Sequence, residues 1–189
     1  MDELADVAAD AAGGDPLAAA ALVRATQSDV WRLCAALGDR GSADDLTQET
    51  YLRAFGSLHR FENRSTVRTW LLSIARRVCA DAVRSRRRRR LILLRDDADL
   101  ETLLHQDSSP ADDVAERATV TDLLARLDPH RREAFVLTQL IGLPYADAAE
   151  VSGCPVGTIR SRVARARADL IDSLAGVKAD DGRSDAAHA

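Results

Sequence analysis

Two sets of residues in this 189-residue chain have types and spacing suited to chemistry. The first is arginine among small side chains. Thr158, Arg160, Ser161, Arg162, Ala164 and Arg165 fall within one short stretch, and Arg84 with the unbroken run Arg86–Arg90 puts six arginines in seven positions. Guanidinium groups grip phosphates and read guanine edges with two parallel hydrogen bonds. Ser, Thr and Ala are short enough to let a helix sit deep in a groove. The second set is Asp45, Gln48 and Glu49. Spacings of three and four place them on one side of a helix. Such a face either docks on a partner or simply keeps the helix soluble.

Catalytic sets do not emerge from the same search. His59, His105, His130 and His188 stand near no nucleophile or metal-ligand set, and no Gly-rich phosphate loop is present. Cys34, Cys79 and Cys154 are odd in number and far apart, which argues against a disulfide framework or a zinc site. They read as ordinary half-buried core or turn residues. The expectation is a binding protein with no enzymatic activity, no metal and no cofactor.

The net charge of −4 looks wrong for a nucleic-acid binder until its distribution is followed. Residues 1–60 are net −5, residues 61–95 net +9, residues 96–128 net −8, residues 129–175 net +1 and residues 176–189 net −1. At physiological salt charges are screened beyond roughly 8 Å, so a polyanion feels the local patch and not the total.

The elements that must position these residues are helical. Aromatics are only 4%, Gly and Pro are few, and Ala, Leu, Arg and Asp dominate. Residues 1–14 are acidic and Ala-rich and read as disordered. They lack the basic start and apolar run of a signal peptide, and no stretch is long enough to span a membrane, so the expected location is cytoplasmic. Asp15-Pro16 is a helix-start signal, and the helix it opens breaks at Gly38 and Gly41. Ser42, with Asp45 three residues on, starts the next helix as a capping box, with Leu46, Thr50, Ala54 and Leu58 along one side. Phe61–Ser65 reads as a loop, and Ser65 as the cap of a third long helix with an inward stripe of Val67, Leu71, Ile74, Val78 and Ala82. An acidic linker follows. Asp128-Pro129 repeats the cap-then-Pro start, Gly142 ends that helix, and a short helix, the turn Ser152-Gly153-Cys154-Pro155 and a last helix from Val156 to about Leu174 complete the chain.

A short helix, a Gly-containing turn and a longer helix form a helix-turn-helix pattern. On the last helix Ile159, Val163, Ala166, Leu170 and Leu174 form the apolar stripe. At about 100° per residue, Ala164, Ser161, Arg165 and Thr158 fall on the far side, flanked by Arg160 and Arg162. Arg162 and Arg167 are better placed for phosphates than for bases.

These stretches resemble a known family. Gly142-Leu-Pro-Tyr-Ala-Asp-Ala-Ala, with Gly153-Cys-Pro-Val-Gly-Thr-Ile-Arg-Ser-Arg-Val-Ala-Arg-Ala-Arg, is similar to region 4 of extracytoplasmic-function sigma factors. Asp44-Asp-Leu-Thr-Gln-Glu-Thr-Tyr-Leu-Arg-Ala-Phe resembles region 2.2 of that family. Thr69-Trp-Leu-Leu-Ser-Ile-Ala-Arg, with Asp81 and Arg84, resembles regions 2.3 and 2.4. The resemblance covers roughly residues 15–90 and 116–175 and is nearest to the actinobacterial sigma-C group.

The resemblance implies a promoter-recognition subunit of RNA polymerase. Asp45, Gln48 and Glu49 match the residues that dock on the β′ clamp helices of core polymerase, and the β flap is the second core contact. Phe61, Asn63, Arg64 and Ser65 match the loop that captures a flipped-out −10 base. Arg76, Arg77 and Arg84 lie on the following helix, which contacts the non-template strand. Arg160, Ser161, Ala164 and Arg165, with Thr158 and Arg162 beside them, match the −35 readers. Two departures fall where −10 sequence is read. The family often has Phe-x-Gly-Glu/Asp-Ser where this chain has Phe61-Glu62-Asn63-Arg64-Ser65, and Ala-Arg-Asn where it has Ala75-Arg76-Arg77. Asn63 tolerates the left-handed backbone a Gly there needs, but Arg64 reverses a charge, so the family's −10 motif does not carry over.

The expected architecture is therefore all-α. It comprises a disordered 1–14, a helical bundle at 15–92 (region 2), an acidic linker at 93–115, a helix-turn-helix domain at 116–175 (region 4) and a disordered tail at 176–189. A two-domain repressor or activator that uses the same helix-turn-helix but never touches polymerase would not need the Asp45/Gln48/Glu49 face, and would dimerise and carry a ligand pocket, for which the sequence shows no sign. The expected partners are core polymerase, promoter DNA and an anti-sigma factor, with no membrane insertion. The acidic linker between two Arg-rich domains also suggests an internal clasp that masks both DNA-binding faces in the free protein.

Overall fold

The computed structural model describes residues 4–38, 40–95 and 120–184, and the described residues are helical throughout apart from turns. The described residues form eight α-helices: α1 Ala5–Ala12, α2 Pro16–Leu37, α3 Ala43–Ser57, α4 Val67–Arg95, α5 Val120–Arg126, α6 Pro129–Phe135, α7 Tyr145–Ser152 and α8 Val156–Ser184. The 3-10 turns Arg40–Ser42 and Leu58–Arg60 flank α3, and a π stretch, Val136–Leu140, prolongs α6. Most of the acidic linker lies outside the described residues.

The Asp-Pro starts work as local chemistry requires. Asp15 accepts from the Leu17 amide at 2.8 Å, and Asp128 accepts from the His130 and Arg131 amides at 3.0 and 3.2 Å. Each supplies an acceptor to amides that have no partner inside the helix, worth about 1 kcal/mol. Two other cap assignments are corrected. Ser42 makes no side-chain cap bond and instead accepts from Arg86 at 2.8 Å across the bundle. Thr66, not Ser65, caps α4: its hydroxyl accepts from the Thr69 amide at 3.1 Å.

Both chain ends also differ from expectation. Residues 5–12 are not disordered but form α1, which packs on α2 and on the Leu58–Arg60 turn and buries Ala8. At the other end, α8 continues as helix through residues 176–184.

In region 2, α2, α3 and α4 pack mutually around Leu22, Val30, Leu33, Leu71 and Leu72. The inward stripe of α4 is wider than the sequence pattern suggested. Val67, Leu71 and Val78 are buried as expected, Ile74 and Ala82 are half-buried, and Leu72, Ala75 and Cys79 join the core. In region 4, α6 and α7 pack on α8 around Leu137, Ala148, Ile159 and Val163. The two domains are themselves docked, with α7 against α4 and α6 against α2, so the apolar core runs continuously from one to the other.

Candidate nucleic-acid interface

The helix-turn-helix is built from α7, its turn and α8. Gly153 takes φ +63°, the left-handed conformation that ends α7, and its amide and that of Cys154 close the turn on Glu150 and Ala149. The turn places α8 so that Ile159, Val163 and Ala166 are buried, while Arg160, Ser161, Ala164 and Arg165 are exposed on the far side. Thr158 is half-buried at the edge of that face. Arg162 is half-buried and donates to the Cys154 sulfur at 3.6 Å. Arg167 donates to Gln139. The stripe fades toward the end of α8, where Leu170 is half-buried and Leu174 is exposed. A helix with a fixed apolar back and a short-side-chain front flanked by guanidiniums can enter a major groove.

The loop before α4 is shaped by two features. Asn63 adopts φ +52°, the left-handed backbone anticipated for it. Phe61 is half-buried against Trp70, ring centroids 5.0 Å apart, which anchors the base of the loop. Asn63 and Arg64 are exposed, Ser65 is half-buried, and Arg64 pairs with Glu62 at 2.5 Å. Arg77 is exposed on α4. Arg84 pairs with Asp81, which also accepts from Arg53 at 2.9 Å. These two guanidiniums, Arg53 first, hold the Asp81 carboxyl below the usual carboxylate range. The side chains of Arg86–Arg90 are exposed on α4.

Arg76 does not face solvent alone. Its Nε donates to Glu133 Oε1 at 2.7 Å, and Glu133, on α6, is 6% exposed. Two further bonds cross between the domains. Arg68 binds Asp29 on α2 at 2.7 Å and the Ile141 carbonyl, beyond α6, at 2.7 Å. Arg132 donates to the Ala36 carbonyl at the end of α2 at 3.3 Å, and to the Ala125 and Leu127 carbonyls at the end of α5 at 2.6 and 3.2 Å. A cation at the orphaned carbonyls of a helix C-terminus is favourable, although burial pushes the Arg132 guanidinium below its ordinary range. The domains thus meet directly, while most of the acidic linker proposed as a clasp lies outside the described residues.

Sequence reasoning missed Asp29, Arg68, Arg132 and Glu133. A signal existed for one. Asp29 lies between Thr26 and Val30 on the apolar side of α2, where a lone carboxylate needs a partner.

The α3 face separates into two kinds of residue. Asp45 and Gln48 are exposed. Glu49 is half-buried and accepts from Arg53 Nε at 2.7 Å, so it belongs to the Glu49–Arg53–Asp81–Arg84 chain that ties α3 to α4. Beside Gln48 stand Leu52, 70% exposed, and Phe55, 37% exposed, which the sequence reading did not single out. Among the described residues no group of His, Cys, Asp and Glu gathers in metal-binding geometry, and no helix is long and apolar enough to cross a membrane.

The chain matches two family models, sigma-70 region 2 over residues 22–89 and sigma-70 region 4 over residues 117–170. It is 53% identical over 165 residues to a probable RNA polymerase sigma-C factor of Mycobacterium bovis, covering 87% of this chain and 88% of that one. The same values hold for the extracytoplasmic-function sigma factor SigC of Mycobacterium tuberculosis. Among solved structures, it is similar to the sigma factor CnrH, solved in complex with the cytosolic domain of CnrY (29% identity, TM-score 0.67, 90% of this chain and 96% of that one). It is also similar to the sigma factor RpoE of Bartonella quintana, solved with the anti-sigma factor NepR (28% identity, TM-score 0.62, 80% of this chain and 93% of that one).

Proposed function

Because the chain belongs to the extracytoplasmic-function sigma factors of the sigma-70 family, in the sigma-C group, we propose that its named surfaces divide promoter recognition between them. The chain is an RNA polymerase sigma factor: it binds core polymerase and promoter DNA and directs transcription initiation at −35 and −10 elements. It acts by binding alone, in the cytoplasm, without a catalytic site. The working units are residues 15–92, extended by α1, and residues 116–175, joined by the acidic segment 93–115.

Arg160, Ser161, Ala164 and Arg165 read −35 bases, with Thr158 and Arg162 at the margin. Phe61, Asn63, Arg64 and Ser65 form the −10 pocket, and Arg76, Arg77 and Arg84 hold the adjoining strand. Asp45, Gln48, Leu52 and Phe55 dock on the β′ clamp helices, with Glu49 setting the face rather than leading it, and region 4 meets the β flap. The observation that carries this reading is the α8 face, with short residues and guanidiniums exposed directly opposite Ile159, Val163 and Ala166. The docked arrangement is read as the resting form. Arg76 cannot hold Glu133 and a DNA phosphate at once, so region 4 masks part of the −10 surface until the domains separate. An anti-sigma factor, as in the solved complex of the Bartonella quintana sigma factor RpoE with NepR, is the alternative or additional mask.

Co-purification with core polymerase followed by run-off transcription tests the assignment. The wild-type chain elutes one to one with core and initiates at discrete sites. Gln48→Lys, an exposed change, loses core binding while its circular dichroism stays the same. A Gln48→Lys protein that binds and transcribes normally moves the docking face elsewhere.

A further inference from the structure

Helix α1 lies outside the sigma-70 region 2 match, which begins at residue 22, and the division of surfaces above assigns it no contact. Its sequence nevertheless gives it a fixed seat. The turn Gly13–Asp15 folds α1 back along α2. The Gly13 amide donates to the Ala9 carbonyl at 3.0 Å, the Gly14 amide to Ala11 at 3.1 Å and the Asp15 amide to Asp10 at 3.1 Å. Gly14 takes φ +94°, a backbone that residues with a side chain rarely adopt. Leu4, Val7, Ala8 and Ala11 form the inward side of the helix, and Ala8 is 2% exposed. So seated, α1 packs on α2 and also on the turn Leu58–Arg60.

The second of these contacts bears on DNA. Leu58 is the buried residue of that turn, and its carbonyl accepts from the Phe61 amide at 3.0 Å. Phe61 opens the loop Phe61–Ser65 and meets Trp70 of α4 on its other side. Glu62, Asn63 and Arg64 are exposed, so the loop is placed by its base and not by packing of its tip. That base is held from two directions: by α4 through Trp70, and by α1 through the Leu58–Arg60 turn. We propose that α1 is a positioning element for the −10 loop, which it keeps in the shape that receives a base. The proposal rests on the reading of Phe61, Asn63, Arg64 and Ser65 as the −10 pocket. A loop that must be ordered on binding loses affinity in proportion to the time it spends out of place, and α1 removes that loss.

Charge and position predict opposite signs for this helix. It carries Asp6 and Asp10, both exposed, and no lysine or arginine. It therefore offers nothing to a phosphate, and any help it gives to DNA binding must pass through the loop. Deleting residues 2–13 removes four carboxylates, Asp2, Glu3, Asp6 and Asp10, and on electrostatics alone tightens DNA binding. If α1 positions the loop, the same deletion weakens it.

The test compares four variants of the chain, each assembled with core polymerase, for binding to a fluorescent single-stranded −10 oligonucleotide. Gly14→Val strains the turn through its positive φ without changing charge, since a Cβ there meets no other atom. Ala8→Asp puts an unpartnered carboxylate into the seat of α1, whereas Ala9→Asp adds the same charge on the exposed side. The deletion of residues 2–13 is the fourth, and it keeps the test decisive if Ala8→Asp fails to fold. Gly14→Val, Ala8→Asp and the deletion weaken −10 binding about tenfold, as when the loop is in place about a tenth of the time, while Ala9→Asp stays within about twofold of wild type. Core affinity and −35 duplex binding are unchanged in all four. In a Trp31→Phe background, where Trp70 is the remaining tryptophan, acrylamide quenching rises in the same three variants because Phe61 no longer covers the ring. Unchanged or tighter −10 binding by the deletion, with quenching as in wild type, overturns the proposal. So does an equal loss of core, −35 and −10 binding, which makes α1 a general stabiliser of region 2. Arg64→Ala is the reference for the loop itself. If it leaves −10 binding unchanged, the −10 reading of the loop falls and the proposal with it; if it weakens binding and the α1 variants do not, α1 alone is ruled out.

Discussion

Weakening the Arg76–Glu133 pair tests whether domain docking controls −10 binding. The N–O distance is 2.7 Å, and the two side chains are 30% and 8% exposed. A fully buried pair broken on one side costs about 3–5 kcal/mol, because a charge is stranded. Arg76 keeps some access to water, so its stranded guanidinium rehydrates in part, and about 2 kcal/mol is the better figure for complete loss of the partner. Glu133→Gln keeps the shape and a neutral acceptor, which is roughly half as strong, so its cost is about 1 kcal/mol. Since 1.4 kcal/mol is tenfold, the docked-to-open ratio falls about 5-fold for Glu133→Gln and about 30-fold for Glu133→Ala. If the open form is the one that binds, apparent affinity for a single-stranded −10 oligonucleotide improves by the same factors while the open form remains a minor species. Fluorescence anisotropy reads the affinity, and small-angle scattering reads the accompanying rise in radius of gyration. Removing a negative charge also favours DNA in general, so Asp172→Asn, an exposed change on α8, sets the baseline. Glu133 variants that match Asp172→Asn in affinity, with an unchanged radius of gyration, refute masking through this contact.

Three further outcomes follow from the same geometry. Arg165→Ala weakens −35 duplex binding by roughly 1–3 kcal/mol and relaxes the preference at one base pair, measured by competition with single-base variants of the site; unchanged preference means α8 docks differently. Replacing Arg87, Arg88 and Arg89 with Gln flattens the plot of log K against log salt by about two units, at roughly 0.7–0.9 per phosphate contact, with little change in base preference. Asp128→Ala removes the acceptor for the His130 and Arg131 amides and costs about 1 kcal/mol near neutral pH by thermal unfolding. Because these amides, Arg131 first, hold the Asp128 carboxyl below its usual range, its contribution is present above the unfolded-state value and lost as pH falls through the folded one. The gap between wild type and variant therefore narrows in acid.

What the sequence disclosed and what it hid divide along the reach of each interaction. The helix-turn-helix was legible because its determinants are local: a left-handed Gly153, a stripe at Ile159, Val163 and Ala166, and polar residues opposite. The Asp-Pro starts were legible for the same reason, and so was the left-handed Asn63. Helix α1 was not. Its apolar side, Leu4, Val7, Ala8 and Ala11, is short, and eight residues are too few to hold a helix in water; packing of that side onto α2 supplies what propensity cannot. Thr66 displaced Ser65 as cap by a single position, within the usual uncertainty of helix ends. The docking contacts were beyond reach altogether. Arg76–Glu133 and Arg68–Ile141 join residues 57 and 73 positions apart, and no local period encodes such a register.

The contacts that join the domains are unequal in a way that bears on mechanism. When the domains part, Arg132 withdraws from Ala36 but keeps the Ala125 and Leu127 carbonyls, which belong to its own domain. Arg68 loses the Ile141 carbonyl but keeps Asp29, so its charge stays largely compensated within region 2. Arg76 loses Glu133, among the described residues the one carboxylate that crosses from region 4 to an arginine of region 2. A guanidinium released in this way is desolvated only in part and has no substitute carboxylate on its own helix within a turn, so a phosphate is its natural next partner. Separation of the domains therefore does more than uncover a surface. On the proposed function, one specific positive charge, that of Arg76, passes from a protein carboxylate to the strand that region 2 is proposed to hold, while Arg68 and Asp29 stay paired and keep α2 and α4 in register beneath it.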